Sequence, residues 1–141
     1  MGEVIRIYLA GGCKNEPDEG REWRERAVQM FKAATENTDV KIKVINPVDY
    51  FSYSEQNHQS DSQIKNYYMD QILHSRIVLA NLNHSDVSCG TCMECQYAKD
   101  NKIQIISFGT EDIYPWLVVD SQVVFPSMLQ AIDYIVDKYC S

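Results

Sequence analysis

The chain alternates short apolar runs with longer segments in which apolar residues recur at helical spacing. The apolar runs are rich in Ile, Val and Leu and stop at turn-forming residues, which is typical of strands. We predict strands at Val4–Ala10, Lys41–Asn46, Ile77–Leu82, Ile103–Phe108 and Val123–Phe125. The run IVLANL at Ile77–Leu82 is almost unbroken, which indicates a central strand that is covered on both faces.

The segments between these strands carry the helical pattern. In Glu19–Glu36 the apolar residues Trp23, Ala27, Met30, Phe31 and Ala34 fall on one side of a helix. Ser62–Ser75 has Ile64, Tyr68 and Ile72 at every fourth position, and Gly90–Lys99 and Pro126–Tyr139 complete the helices. The polar stretch Tyr50–Ser60 is predicted to be a surface loop.

The alternation of strands and helices predicts a parallel sheet, because parallel neighbours need crossover connections that place helices on both faces. We expect one α/β domain over residues 1–141, a three-layer sandwich of about five strands that is flavodoxin-like or Rossmann-like. Ligands of such sheets bind beyond the carboxyl ends of the strands. This rule selects three loops for the chemistry: Gly11–Gly20, Asn46–Ser60 and Asn83–Thr91.

Charge narrows the range of partners. The 141 residues include 20 acidic and 13 basic side chains, for a net charge of −7. This excess of acid argues against a protein that grips a nucleic-acid polymer, although a single nucleotide needs only a few local donors. The opening MGEVIRIYLAGG lacks the basic start of a signal peptide, and no apolar stretch is long enough to span a bilayer. We therefore expect a cytoplasmic protein.

The loop Asn83–Thr91 leads into a helix that carries Glu94 about one turn from its start. Ser88 or Thr91 can cap this helix, and the positive helix end favours an ionised carboxylate. An ionised carboxylate beside an anomeric carbon is the nucleophile of a retaining glycosyl transfer. A glutamate at this position can also be a solvent-facing residue that stabilises the helix, and position alone favours that second interpretation.

Several segments change this balance, because together they resemble the nucleoside 2-deoxyribosyltransferases and their nucleotide-hydrolysing relatives. The resemblance is carried by IYLAG (Ile7–Gly11), INPVDY (Ile45–Tyr50), IVLANL (Ile77–Leu82), Ser88-x-Gly90-Thr91-x-x-Glu94, Tyr97-Ala98, YPW (Tyr114–Trp116) and AIDYI (Ala131–Ile135). It implies an enzyme that cleaves the N-glycosidic bond of a nucleoside or nucleotide without a cofactor or metal. It also implies a homodimer or larger homo-oligomer, with Trp116 as a candidate interface residue.

The resemblance assigns roles to individual residues. Glu94 matches the covalent nucleophile, Tyr8 matches a tyrosine that orients it, and Gly11 matches a glycine that lets the ligand approach. Gly90 belongs to the same motif as a substrate-binding residue.

Two further positions bear on whether the 5′ group of the substrate is a hydroxyl or a phosphate. Ser88 stands where strict transferases have an aspartate for the 5′-hydroxyl and nucleotide hydrolases have a serine that can face a phosphate. Lys14 lies where nucleotide-cleaving relatives carry a basic residue, and Arg21 and Arg24 compete with it for that role. A hydroxyl and a lysine suit a phosphate better than a carboxylate does. A nucleoside and a 5′-monophosphate both remain open as substrates.

The acid that protonates the departing base has no exact match to the family pattern in this sequence. Counting along the family pattern leads to Tyr68, whereas the nearest carboxyl is Asp70, two residues later. Helical phase places Asp70 opposite the apolar stripe, toward either the cleft or solvent. Asp70 is our candidate acid. Asp49 and Asp86 lie on cleft loops in reserve, and Asp49 is expected to contact substrate.

Two other classes of function stay open. The spacing Cys89-x-x-Cys92-x-x-Cys95 invites a metal site completed by Cys13 or His84, but a helix through these residues is a poor scaffold for tetrahedral ligation. Alternatively, Cys89 and Cys92 could form a redox pair whose thiol pKa is lowered by the helix start. The second class is a nucleotide-binding domain that lost turnover, and the displaced Asp70 is its best support.

Overall fold

A computed structural model describes residues 3–12, 16–18, 20–47 and 61–140. Five strands form one sheet: β1 (Val4–Ala10), β2 (Lys41–Ile45), β3 (Ile77–Asn81), β4 (Gln104–Phe108) and β5 (Val123–Phe125). The helices are α1 (Arg21–Ala34), α2 (Asp61–Leu73), α3 (Cys89–Asp100), α4 (Pro115–Asp120) and α5 (Met128–Tyr139), with a short 3-10 turn at Ser85–Val87. In the described part of the chain, no helix has the length and apolar character needed to cross a membrane.

The strand order is β2-β1-β3-β4-β5, and every pairing is parallel. This is the flavodoxin-like order, in which the crossovers change direction between β1 and β3. The register pairs Ala10 with Ala80, so the loops after both strands begin side by side. The predicted α/β fold with a parallel sheet of five strands is confirmed.

Alternation along the strands divides the core between the two faces of the sheet. One face of β1 carries Ile5, Ile7 and Leu9, which belong to a buried cluster with α1 and α5. Tyr8 and Ala10 point to the other face and belong to a cluster with α2, α3 and α4. Because successive side chains of a strand point to opposite faces, Tyr8 is directed toward α3.

The predicted strands and helices lie within two residues of the observed ones. The helix α4 and the 3-10 turn were not predicted. In α4 only Leu117 is buried, while Trp116, Val118 and Val119 are exposed, so its sequence lacks the periodicity of an amphipathic helix. The predicted loop Tyr50–Ser60 lies outside the described residues.

Candidate active site

A cleft of about 470 Å³ opens at the carboxyl ends of β1 and β3, where the topology predicted it. Its described walls come from the loop after β1, from α2, from the loop after β3 and from the start of α3. The residues concerned are Gly11, Gly12, Glu16, Ile64, Lys65, Tyr68, Met69, His84, Val87, Ser88, Cys89, Gly90, Thr91, Met93 and Glu94. A volume of this order is typical of sites for small molecules.

Glu94 and Tyr8 meet at the base of this cleft. The buried residues of α3 are Thr91, Glu94, Cys95 and Ala98, whose spacing forms one stripe against the sheet. Glu94 is only 9% exposed, and its Oε2 accepts a hydrogen bond from the hydroxyl of the fully buried Tyr8. The solvent-facing interpretation of Glu94 is therefore wrong, because the side chain lies on the core-facing stripe.

Burial controls the protonation of this carboxyl. Desolvation raises the pKa of Glu94 from 4.5 to about 7, against the opposing effects of the Tyr8 hydrogen bond and the positive charge of Arg24. Desolvation, followed by the nearby negative charge of Glu94, also raises the pKa of Tyr8 well above its ordinary value. The expected ionisation by the helix dipole does not prevail, because that effect fades beyond the first turn and Glu94 is in the second.

Ser88 is the N-cap of α3, as the sequence suggested. Its Oγ lies 3.4 Å from Thr91 N and 2.6 Å from Thr91 Oγ1. The hydroxyl thus fixes the start of the helix while it lines the cleft. Gly90 is exposed on the same wall, with nothing within 4 Å of the position that a Cβ would take.

The predicted role of Gly11 in ligand approach stays a prediction, and the structure adds a packing role. A Cβ on Gly11 would lie 2.8 Å from Trp23 Cζ2 and 3.2 Å from Asn81 Cβ, so the absent side chain makes room for these neighbours. Gly11 still lines the cleft. The close packing places the indole of Trp23 directly beneath the loop that follows β1.

Arg24 is buried and is not among the described residues that line the cleft, so its position gives no support to the alternative role as a phosphate ligand. It belongs to the buried side of α1 with Ala27 and Phe31. Its Nη2 donates to Gly11 O at 2.9 Å and its Nη1 donates to Gly20 O at 3.2 Å. The guanidinium therefore stabilises both ends of the loop after β1, and its charge lowers the pKa of Glu94.

Asp70 lies on the exposed side of α2, one of the two sides that helical phase left open. Its side chain is 60% exposed, its Oδ1 lies 3.5 Å from His74 Nδ1, and it is not among the described residues that line the cleft. The turn of α2 that faces the cleft presents Tyr68 and Met69 instead. The hydroxyl of Tyr68 donates to Pro47 O at 3.1 Å, and its ring lies edge-on to that of Tyr8 with centroids 6.5 Å apart.

The remaining predicted site residues lie outside the described residues or outside the described cleft wall. Lys14 and Asp49 lie outside the described residues, as does Cys13. Asp86, the reserve carboxyl on the 3-10 turn, is exposed and is not among the described residues of the cleft wall.

The cysteine cluster is spread along α3. Cys89 is exposed, Cys92 is partly buried and Cys95 is buried, and all three are free thiols. Within the described ranges, no group of three or more His, Cys, Asp or Glu side chains is arranged to hold a metal ion. Burial, followed by the neighbouring Cys89, raises the pKa of Cys92. That direction is the opposite of the one predicted for a redox pair.

Several described cleft residues were not singled out from the sequence, among them Glu16, Lys65, Met69 and His84. Lys65 and Met69 are next to Ile64 and Tyr68 in the sequence. They can be predicted as cleft residues once α2 is known to form a wall of the cleft. His84 lies in a loop that was selected, but nothing in the sequence marked its partner. Its Nδ1 lies 3.1 Å from Asp112 Oδ2, and this hydrogen bond raises the pKa of His84.

Comparisons with known proteins identify the family and the fold of the chain. The family model described as nucleoside 2-deoxyribosyltransferase matches residues 7–128 of the chain. A search of curated proteins finds no significant match.

Solved structures with a similar fold include a 2-deoxyribosyltransferase from Bacillus psychrosaccharolyticus, with 17% identity, a TM-score of 0.72 and 92% of each chain covered. A 2-deoxyribosyltransferase from Leishmania mexicana has 22% identity and a TM-score of 0.65, with 96% of this chain and 99% of that chain covered. A CMP N-glycosidase from Clostridium botulinum has 17% identity and a TM-score of 0.54, with coverage of 95% and 99%.

Proposed function

Because the chain belongs to the nucleoside 2-deoxyribosyltransferase family, we propose that it cleaves the N-glycosidic bond of a nucleoside or its 5′-monophosphate through a glycosyl ester on Glu94. The observation that supports this proposal is the hydrogen bond from the Tyr8 hydroxyl to Glu94 Oε2 at the base of the cleft. A carboxylate held by one oxygen presents its other oxygen in a fixed direction, which favours attack on a bound sugar.

The first step forms the bond between Glu94 Oε1 and the anomeric carbon. The carbon–nitrogen bond breaks, and the departing base keeps its electron pair and takes up one proton. In the second step a nitrogen of another base, or a water oxygen, attacks the same carbon, returns its proton to the group that protonated the first base, and releases the Glu94 carboxylate. Two displacements on one carbon retain its configuration. The burial that raises the pKa of Glu94 also removes water from this carboxylate, so the ionised form is a stronger nucleophile than an exposed glutamate.

The source of the proton for the base is a separate question. Asp70 stays a prediction for this role, although its exposed position beside His74 gives it no support. Tyr8 is an unsuitable donor, because its hydroxyl proton is engaged by Glu94. The proposed mechanism therefore assigns only the nucleophile and its orienting tyrosine.

Assembly is part of the proposal by resemblance alone. Helix α4 presents Trp116 at 72% exposure and Val119 at 77%, which supports association of copies through this surface. We propose a homodimer or larger assembly. Sedimentation of the wild type and of Trp116→Glu tests it, with a smaller species expected for the variant.

The reaction is tested by incubating the protein with 2′-deoxynucleosides and their 5′-monophosphates, with and without an acceptor base. Release of free base without acceptor indicates hydrolysis, and a new nucleoside with acceptor indicates transfer. Glu94→Ala should abolish both products. Glu25→Gln changes an exposed carboxylate of α1 and is the matched control, so we expect it to keep activity within about threefold of wild type, the small effect of an exposed substitution. Asp70→Asn tests the predicted general acid.

Full activity of Glu94→Ala would overturn the mechanism. A hundredfold or greater loss of activity in Asp70→Asn, within the 10²–10⁴-fold range of general acid catalysis, would support Asp70 as the general acid. Binding of these compounds without any cleavage would favour a nucleotide-binding domain that lost turnover.

A further inference from the structure

A second cavity of about 360 Å³ adjoins the cleft and shares Gly12, Glu16 and His84 with it. The junction lies at the carboxyl ends of β1 and β3, beside Ser88 at the start of α3. Sequence reasoning did not select Glu16, which comes from the loop after β1. Glu16 lines both cavities and therefore lies at the border between them.

The geometry around Gly12 places this carboxylate close to the Ser88 hydroxyl. A Cβ built on Gly12 would lie 3.5 Å from Glu16 Oε1 and 3.8 Å from Ser88 Oγ. The two oxygens are therefore at most about 7.3 Å apart, which is the sum of these distances. A ligand hydroxyl between them comes within hydrogen-bonding reach of both after a small rotation of either side chain.

Most of the described charged side chains around His84 are carboxylates. The negative charge of Glu16 raises the pKa of His84, whose ring nitrogens lie 3.1 Å from Asp112 Oδ2 and 3.7 Å from Glu111 Oε2. Among these described side chains, three carboxylates and a protonated His84 leave an excess of two negative charges. The start of α3 contributes only about half a positive charge, which does not offset that excess. Lys65 lies on the opposite wall, with Ile64 and Tyr68 of α2.

We infer that Glu16 is a specificity-determining residue that selects a neutral 5′-hydroxyl over a 5′-phosphate, so that the substrate is a plain nucleoside. This inference rests on the proposed function, because it takes the sugar to be seated with its anomeric carbon at Glu94 and its 5′ end toward Ser88. Glu16 accepts a hydrogen bond from the 5′-hydroxyl, and Ser88 provides the second contact. A phosphate at the same place brings up to two negative charges next to the Glu16 carboxylate, beside a histidine that Glu111 and Asp112 also flank.

The inference is tested first by binding, in the Glu94→Gln background that prevents turnover. Calorimetry compares each 2′-deoxynucleoside with its 5′-monophosphate, with and without the additional change Glu16→Gln. We expect the nucleoside to bind on the order of tenfold more tightly than the monophosphate. Glu16→Gln should reduce this ratio several-fold, mainly by improving the monophosphate. Glu25→Gln removes an exposed carboxylate of α1 and should leave the ratio unchanged.

The same ratio is then measured as kcat/KM in the protein with Glu94 intact. Tighter binding of the monophosphate, or a ratio that Glu16→Gln does not change more than Glu25→Gln does, would overturn the inference. Thermal unfolding of each variant checks that a change in the ratio is not a loss of fold. Failure of the proposed function is a different result, namely no cleavage of either compound, and the binding ratio still decides the role of Glu16 in that case.

Discussion

Replacing Glu94 with Gln should make the protein more stable above neutral pH, even though it removes the proposed nucleophile. The substituted amide has nearly the same shape as the carboxyl group and can still accept the hydrogen bond from Tyr8. It carries no charge, so the cost of burying an ionised carboxylate disappears. The variant thus separates the electrostatic cost of the site from its packing.

The size of the effect follows from the pKa of Glu94, which burial raises from 4.5 to about 7. Between these two values the folded state binds more protons than the unfolded state, so stability falls as pH rises. Below about 4.5 both states are protonated and the effect is absent, and above about 7 it is complete. A difference of this size corresponds to about 3 kcal/mol, at about 1.36 kcal/mol for each pKa unit.

Urea unfolding of the wild type and Glu94→Gln at about pH 4.5 and about pH 8 measures this difference. We expect similar free energies of unfolding at the lower pH, and a gain of up to about 3 kcal/mol for Glu94→Gln at the higher pH. The exposed change Glu25→Gln serves as the control and should stay within about 0.5 kcal/mol of wild type at both. A gain from Glu94→Gln that is the same at both pH values, or that is larger at the lower pH, would refute the reasoning.

Three further predictions concern activity and packing. The value of kcat/KM should rise with pH through about 7 as Glu94 ionises, and a pH profile that is flat between about 5.5 and 8.5 would contradict this. Tyr8→Phe removes a hydrogen bond that lowers the pKa of Glu94, so kcat should fall about ten- to a hundredfold and the rising limb should move to higher pH. An unshifted limb would show that Tyr8 acts only through packing. Gly11→Ala should destabilise the protein by about 1–3 kcal/mol in urea unfolding, because its methyl group meets Trp23, whereas Gly90→Ala has free space and should be neutral or stabilising. Equal effects of the two substitutions would contradict the packing role of Gly11.

The fold followed from the sequence because its signals are local. Ile77–Asn81 is apolar on both faces and α2 carries Ile64 and Ile72 on one side, and these patterns are fixed by strand and helix geometry. The parallel order then determined which loops form the cleft. Helix α4 was not predicted, because most of its apolar side chains are exposed and give no amphipathic pattern.

Only part of the candidate site could be predicted from local sequence patterns. Tyr8 and Glu94 came from the resemblance, and the alternation of β1 and the stripe of α3 explain why they meet. The pKa of Glu94 depends on burial by surrounding segments, so the helix position alone gave the wrong direction. Helical phase left two sides open for Asp70, and only the packing of α2 places it on the exposed side. Arg24 was named as an alternative to Lys14 for a phosphate, since nothing local shows that its side chain is buried beneath the loop.

The central claim is the covalent role of Glu94, and the most direct measurement is the mass of the enzyme during turnover. The protein is mixed with a 2′-deoxynucleoside, quenched rapidly, digested and examined by mass spectrometry. We expect one added sugar on the peptide that contains Glu94, lost when an acceptor base is supplied and absent in Glu94→Gln. Continued release of base with this peptide unmodified, together with inversion at the anomeric carbon, would contradict the claim.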